Sequence, residues 1–249
     1  MEVHHHPHVE KKNFKEYFLE FLMIFLAVTM GFFAENIREN ISEKKIEKEY
    51  IESFISDLKK DTSEFNYVIP REETSIHGID TMLNILSNEK YSDSNIRSMY
   101  YLSRKYTESI EPMAYTLRTI MQLKNSGGLR LIANKKASDS IVLYNKMVDD
   151  VTSILNFTEH DFMIPSVHIG NKIFNGKYML PYNGETIIDI LKSGVKMELL
   201  TTDKSVMGEY IGLLYQVKQI RLNYLGQMKR QRDRAKDMIL FFQKEYDLE

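Results

Sequence analysis

FKEYFLEFLMIFLAVTMGFFA, residues 14 to 34, decides the reading of this chain. From Phe21 to Ala34 no side chain is charged, and extending back to Tyr17 adds a single charge, Glu20. A hydrocarbon layer of roughly 30 Å is crossed by about 20 apolar residues in helical form. Phe14 to Ala34 has that length if Lys15 and Glu16 reach the headgroups along their aliphatic stems. The stretch reads as a single membrane-spanning helix. A cleaved leader would place small residues after the apolar run, and here Phe32 and Phe33 precede Ala34 and Glu35. A buried core helix is the competing reading, because the strictly uncharged run is short for a span. No later stretch is long and apolar enough to cross a second time.

Before the span stands MEVHHHPH, with His4, His5, His6 and His8 as candidate ligands for a transition metal. Such a tail lacks supporting carboxylates and would hold metal loosely, so no cofactor is expected. The start of the chain, through KEYFLEFLMIFLAVTMGFFAENIRE, resembles a family of uncharacterised bacterial proteins with one amino-terminal membrane span. The resemblance is strongest over residues 1–60 and returns at QLKNSGGLRLI, Gln122 to Ile132. It implies an anchored architecture and supplies no catalytic residues.

Orientation follows the positive charges beside the span. Lys11, Lys12 and Lys15 precede it, and Arg38, Lys44, Lys45 and Lys48 follow it, so the count alone does not decide. A short amino-terminal tail is easily left in the cytoplasm. The expectation is a bacterial inner-membrane protein with a periplasmic carboxy-terminal domain. Glu20 is an ionisable group inside the span, which by default is a functional hypothesis. Read functionally it is a stator-like proton relay. Read structurally it lies about two turns inside the span, shares a face with Glu16 and reaches the interface.

Directly beyond the span the pattern stays helical. ENIRENISEKKIEKEYIESFISDLKKD, residues 35 to 61, has no Gly or Pro, and Ile37, Ile41, Ile46, Tyr50, Phe54 and Leu58 recur at helical spacing. The span therefore continues as a solvated stalk, and Pro70 is expected to end it. The divisions are a tail over 1–13, the span over 14–34, a stalk over 35–69 and a helical domain over 70–249. Within that domain Arg71 to Ser87 reads as a separate helix. Ser92 caps a helix over Asp93 to Ser109, and Pro112 fits the first turn of another. Ser126-Gly127-Gly128 ends that one, a short turn spans Leu129 to Asn134, and a long helix runs to Phe162. Pro165 to Gly184 holds two Pro and three Gly, with Asn175-Gly176 between β-formers. That pattern predicts a small β-hairpin or ordered loop with Asn175 and Gly176 at its tip, a possible partner surface. Glu185 to Ser193 reads as a short helix.

The last element runs from Lys204 to about Tyr246. Met207, Ile211, Leu214, Val217, Ile220, Tyr224, Met228, Ala235, Met238 and Phe242 suggest a coiled-coil or bundle seam. Lys229, Arg230, Arg232, Arg234 and Lys236 concentrate positive charge on it. If this helix returns antiparallel to the stalk, those five cations meet Glu35, Glu39, Glu43, Glu47 and Glu49, or anionic lipid.

The chain has no cysteine, which excludes disulfides and thiolate metal sites. His77, His160 and His168 have no ligand spacing, and no nucleophile elbow, dinucleotide fingerprint or HExxH motif occurs. A net charge of −2 argues against nucleic acid. The fold class expected is all-α: one transmembrane helix, a stalk, a helical bundle with a hairpin or loop insertion, and a long carboxy-terminal helix. The function expected is a non-enzymatic structural or interaction protein that assembles with itself or with a membrane complex. A sensor or ligand-binding module is the alternative, and the proton relay a third.

Overall fold

The computed structural model describes residues 13–108, 110–179 and 194–248. The histidine tail, the expected helix Glu185–Ser193 and the distal part of the expected hairpin segment lie outside the described residues. The described chain is all-α. The helices are α1 (Phe14–Leu86), α2 (Asp93–Leu102), α3 (Arg118–Asn125), α4 (Lys135–Thr158), α5 (Ile164–Ile173) and α6 (Lys204–Glu245). Two π-turns, Ser103–Thr107 and Glu159–Met163, extend α2 and join α4 to α5. The chain divides into two compact units, Met1–Glu49 and Tyr50–Glu249.

In the first unit, the described residues form the amino-terminal part of α1. Its apolar stretch is exposed on every side. Phe14, Phe18, Phe21, Ile24, Phe25, Met30 and Phe32 are all more than half exposed, and none of the most apolar window is buried among the described residues. This is one helix long and apolar enough to cross a membrane. Past it, Arg38 pairs with Glu35 one turn back, and Lys45 lies 3.9 Å from Glu49.

In the second unit, α1 and α6 carry the core. The buried positions of α6, Leu225 apart, are 207, 210, 214, 217, 221, 224, 228, 231, 235, 238 and 242. They alternate steps of three and four without a break, the repeat of a supercoiled seam. On α1 the series Ile51, Phe54, Leu58, Asp61, Phe65, Val68 and Glu72 steps the same way. The two helices are antiparallel, as expected. Phe54 meets Phe242 edge to face with ring centres 5.8 Å apart, Arg221 pairs with Glu72, and Lys218 pairs with Asp80. α4 covers one side through Ile141, Tyr144, Val148 and Val151. Met99, Tyr100, Ile169 and Ile173 close the other end against Met207, Tyr210 and Leu214.

The structure corrects the expected boundaries in three places. Pro70 does not end α1, which runs on to Leu86 and absorbs the expected helix from Arg71. Pro70 sits on the exposed face, so the carbonyl its ring leaves unbonded faces solvent, while Val68 and Ile69 beside it are buried. Pro112 opens no helix. Residues 110–117 are irregular, and α3 begins only at Arg118. The expected hairpin is replaced by helix and a single turn. Pro165 lies in the first turn of α5, and Gly176–Tyr178 is a 3₁₀ turn capped by the Asn175 side chain. Among the described residues only one bridge pair, Phe174 with Leu199, has β character.

Other local readings agree with the structure. Ser92 caps α2 in a reciprocal box with Asn95. Gly127 follows α3 at φ +67°, the left-handed value that glycine adopts at least cost. α6 ends within one residue of the expected place.

Candidate functional site

The irregular segment 110–117 raises a physical problem. Backbone inside a core must find hydrogen-bond partners, and a segment outside helix or sheet cannot supply its own. Here polar side chains on the long helices supply them. Asp61 accepts the Thr116 N–H at 2.7 Å, and Asp57 accepts the Thr119 N–H at 2.9 Å. The Tyr224 hydroxyl accepts the Met113 N–H at 3.0 Å and stands 3.3 Å from the Glu111 carbonyl, to which it donates. These side chains sit at core positions because the backbone crossing there needs them.

Most of the buried polar groups find partners in turn; among the described residues Gln231 Nε2 and Arg234 Nε have none. Asp57 also receives Arg118 at 3.0 Å and the Thr119 hydroxyl. Asp61 receives the Tyr144 hydroxyl at 2.7 Å. Burial pushes the Asp61 carboxyl above the usual range, with those donors pulling it partly back. Tyr115 donates to the Gln231 side-chain carbonyl. Burial pushes the hydroxyls of Tyr115, Tyr144 and Tyr224 well up, so all three remain neutral donors. Further along, Arg221 grips Glu72 through Nη1, 3.0 and 2.8 Å from the two carboxylate oxygens, and its Nη2 holds the Tyr106 carbonyl at 3.0 Å. Both ion-pair side chains are only 1% exposed. Burial raises the Glu72 carboxyl and the guanidinium draws it down again.

A cleft of about 280 Å³ opens beside this segment. One wall is Ile110, Pro112, Met113 and Tyr115. The other is the end of α4 and the π-turn after it, with Thr152, Leu155, Asn156, Glu159 and Met163. Glu108, which directly follows the first π-turn, completes it. A π-turn inserts a residue and re-aims the side chains around it, which is why such turns recur at functional positions. A second, more open cleft of about 700 Å³ lies between the start of α2, residues 196–204 and the start of α6. It is rimmed by Lys90, Lys196 and Lys204 and by Glu89, Asp93 and Glu198.

Among the described residues of the second unit, no hydrogen bond or ion pair joins Asn175 and Gly176 to the cations of α6. Glu20 is partly exposed on the apolar stretch of α1. Lys229 pairs with Glu73 at 2.6 Å, an acid further along α1 than the stalk acids expected for it. Arg232 pairs with the adjacent Asp233. Arg230 and Lys236 are exposed and Arg234 is partly buried. Asn175 and Gly176 sit in the 3₁₀ turn. The Tyr100 hydroxyl accepts the Asn175 N–H and donates to the Glu198 carbonyl, both at 2.8 Å. Among the described residues no cluster of His, Cys, Asp and Glu has the geometry of a metal site.

Sequence reading missed the polar seam. Its α6 seam used Ile211 and Ile220, where the structure buries Tyr210 and Arg221. It also stepped seven residues from Met228 to Ala235, where the repeat requires a seam residue and the structure places Gln231. Strict three-and-four counting would have found both. The cleft left no comparable signal, because its walls come from segments about forty residues apart. No family model, curated protein or solved structure matches the chain.

Proposed function

We propose that this chain is a membrane-anchored helical protein with a structural or interaction role, assembling with further copies of itself or with a membrane complex. The observation that carries the reading is the amino-terminal stretch of α1. Its large apolar side chains are exposed all around the helix, and the described chain covers none of its most apolar window. A contiguous apolar surface of that size marks a lipid or protein contact. A cylinder apolar on all faces suits lipid better than a one-sided partner groove.

The reading places residues 14–34 of α1 in a bacterial inner membrane and the second unit in the periplasm. The resemblance of residues 1–60 to single-span bacterial proteins supports it, as does an interior whose buried polar side chains brace backbone and one another. No catalytic step and no nucleic-acid contact belongs to the proposal. Native mass spectrometry after gentle extraction tests it. A homo-oligomer or a stoichiometric partner is expected, and a monomer without partners across extraction conditions would count against assembly. A ligand-binding module is the second reading, favoured by the cleft at the end of α4. The proton-relay reading of Glu20 ranks third. Glu20→Gln is expected to leave growth and assembly unchanged, and loss of a proton-coupled phenotype with normal assembly would reverse that order.

A further inference from the structure

We propose that the cleft between residues 110–115 and the end of α4 binds a small organic cation: an ammonium group carried on a compact apolar body. The inference is independent of the anchoring role and concerns the second unit alone.

The two hydroxyls that line the cleft have already committed their protons. The Thr152 hydroxyl donates to the Val148 carbonyl at 2.9 Å, and the Tyr115 hydroxyl donates to Gln231. What they present to a ligand is lone pairs. The ionisable groups in the lining, Tyr115 apart, are the carboxylates of Glu108 and Glu159, with no Lys, Arg or His among the lining residues. Arg104 lies 2.5 Å from one oxygen of Glu108, outside the lining, and leaves the other oxygen available. Glu159 has no ion pair among the described residues and is exposed at the rim. The polar part of the site is therefore richer in acceptors than in donors, with the Asn156 amide as its side-chain donor. An anion would meet the unpaired Glu159 and a Glu108 whose one partner, Arg104, lies outside the lining. A bare metal ion is not favoured, since among the described residues no cluster of His, Cys, Asp and Glu has the geometry of a metal site.

The apolar part selects the rest of the ligand. Ile110, Pro112, Met113, Leu155 and Met163 line it, and the two methionines adapt to irregular shapes. About 280 Å³ is room for a single ring or a short branched chain. The two acidic residues are placed by the two π-turns. Glu108 follows one, and Glu159 opens the other. A cation with an apolar body satisfies both halves, its N–H groups on the carboxylates and its carbon on the methionine wall.

The test uses the full chain in nanodiscs of neutral phosphatidylcholine, with empty discs as the blank. The probes are benzylammonium, benzyl alcohol and benzoate, which share a ring and differ in charge. Binding is read by saturation-transfer NMR and calorimetry at pH 7. Benzylammonium is expected to bind saturably, with the alcohol and the carboxylate weaker by about tenfold or more. Glu159→Gln is expected to weaken benzylammonium by about tenfold without changing the thermal midpoint, since its side chain lies at the surface. Leu155→Trp fills the cleft and is expected to abolish binding. If that variant unfolds, Glu108→Gln with Glu159→Gln gives the same reading. Equal binding of the three probes, no saturable binding of the cation, or cation binding unchanged by the double substitution would overturn the proposal.

Discussion

At the scale of single residues, the second unit is organised by charges placed where a coiled-coil seam would place hydrophobes. Arg221 and Glu72 take seam positions on facing helices and bury each other. Removing one partner leaves the other charge in the core, which typically costs about 3–5 kcal/mol. Arg221→Met is therefore expected to destabilise the fold by about that amount. Glu72→Leu with Arg221→Met should recover most of it, because the pair is replaced by apolar volume. Urea denaturation in mild detergent reads both. A double variant no more stable than the single one would contradict this account of the pair.

Asp61 gives a pH signature. Burial raises its carboxyl in the fold, so the folded chain holds that proton more tightly than the unfolded chain. Its favourable contribution is complete below the unfolded value of about 3.9 and is lost as pH rises through the folded value. The native chain should therefore gain stability relative to Asp61→Asn as pH falls from 7 toward 4. A difference that stays flat over that range would show that Asp61 ionises in the fold as it does in water, and one of opposite sign that its donors outweigh burial.

At the scale of elements, α1 shows how far a local rule reaches. Pro70 removes one helix hydrogen bond, and sequence reading expects a stop. The helix continues because the break faces solvent while Phe65, Val68, Ile69 and Ile76 are held in the core. Pro70→Ala is expected to stabilise the fold by about 1–3 kcal/mol, the helix cost of proline less its unfolded-state benefit. An unchanged or lower thermal midpoint would indicate that the proline is needed there. Gly78 has the opposite sign. A Cβ at that position would overlap the Tyr106 ring, where α1 meets the π-turn after α2. Gly78→Ala is expected to cost about 1–3 kcal/mol, the usual range for overpacking.

The same contrast separates what was legible from what was not. Ser92, Gly127 and the limits of α6 were readable because a cap, a left-handed turn or a periodic run is written in adjacent residues. The hairpin at Asn175-Gly176 was a local signal overridden by tertiary contacts. Tyr100 joins the Asn175 N–H to the Glu198 carbonyl, and Tyr178 donates to the Lys196 carbonyl at 3.1 Å, so tyrosines connect these segments where a β-ladder was expected. Segment 110–117 was misread for a related reason. Its hydrogen-bond partners, Asp61 and Tyr224, lie fifty residues or more away in sequence.

At the scale of the whole molecule, two kinds of surface define two units. The second unit closes its polar interior with side-chain hydrogen bonds and keeps its apolar clusters inside. The first carries a helix whose apolar side chains are left outward. Water does not tolerate such a surface at that length, and lipid does. The central claim is that lipid covers residues 14–34, and alkaline carbonate extraction of cell membranes tests it most directly. The full chain is expected to stay with the membrane pellet, while a chain beginning at residue 35 moves to the soluble fraction with its helical circular-dichroism signal retained. Release of the full chain by carbonate alone, in folded form, would contradict the account.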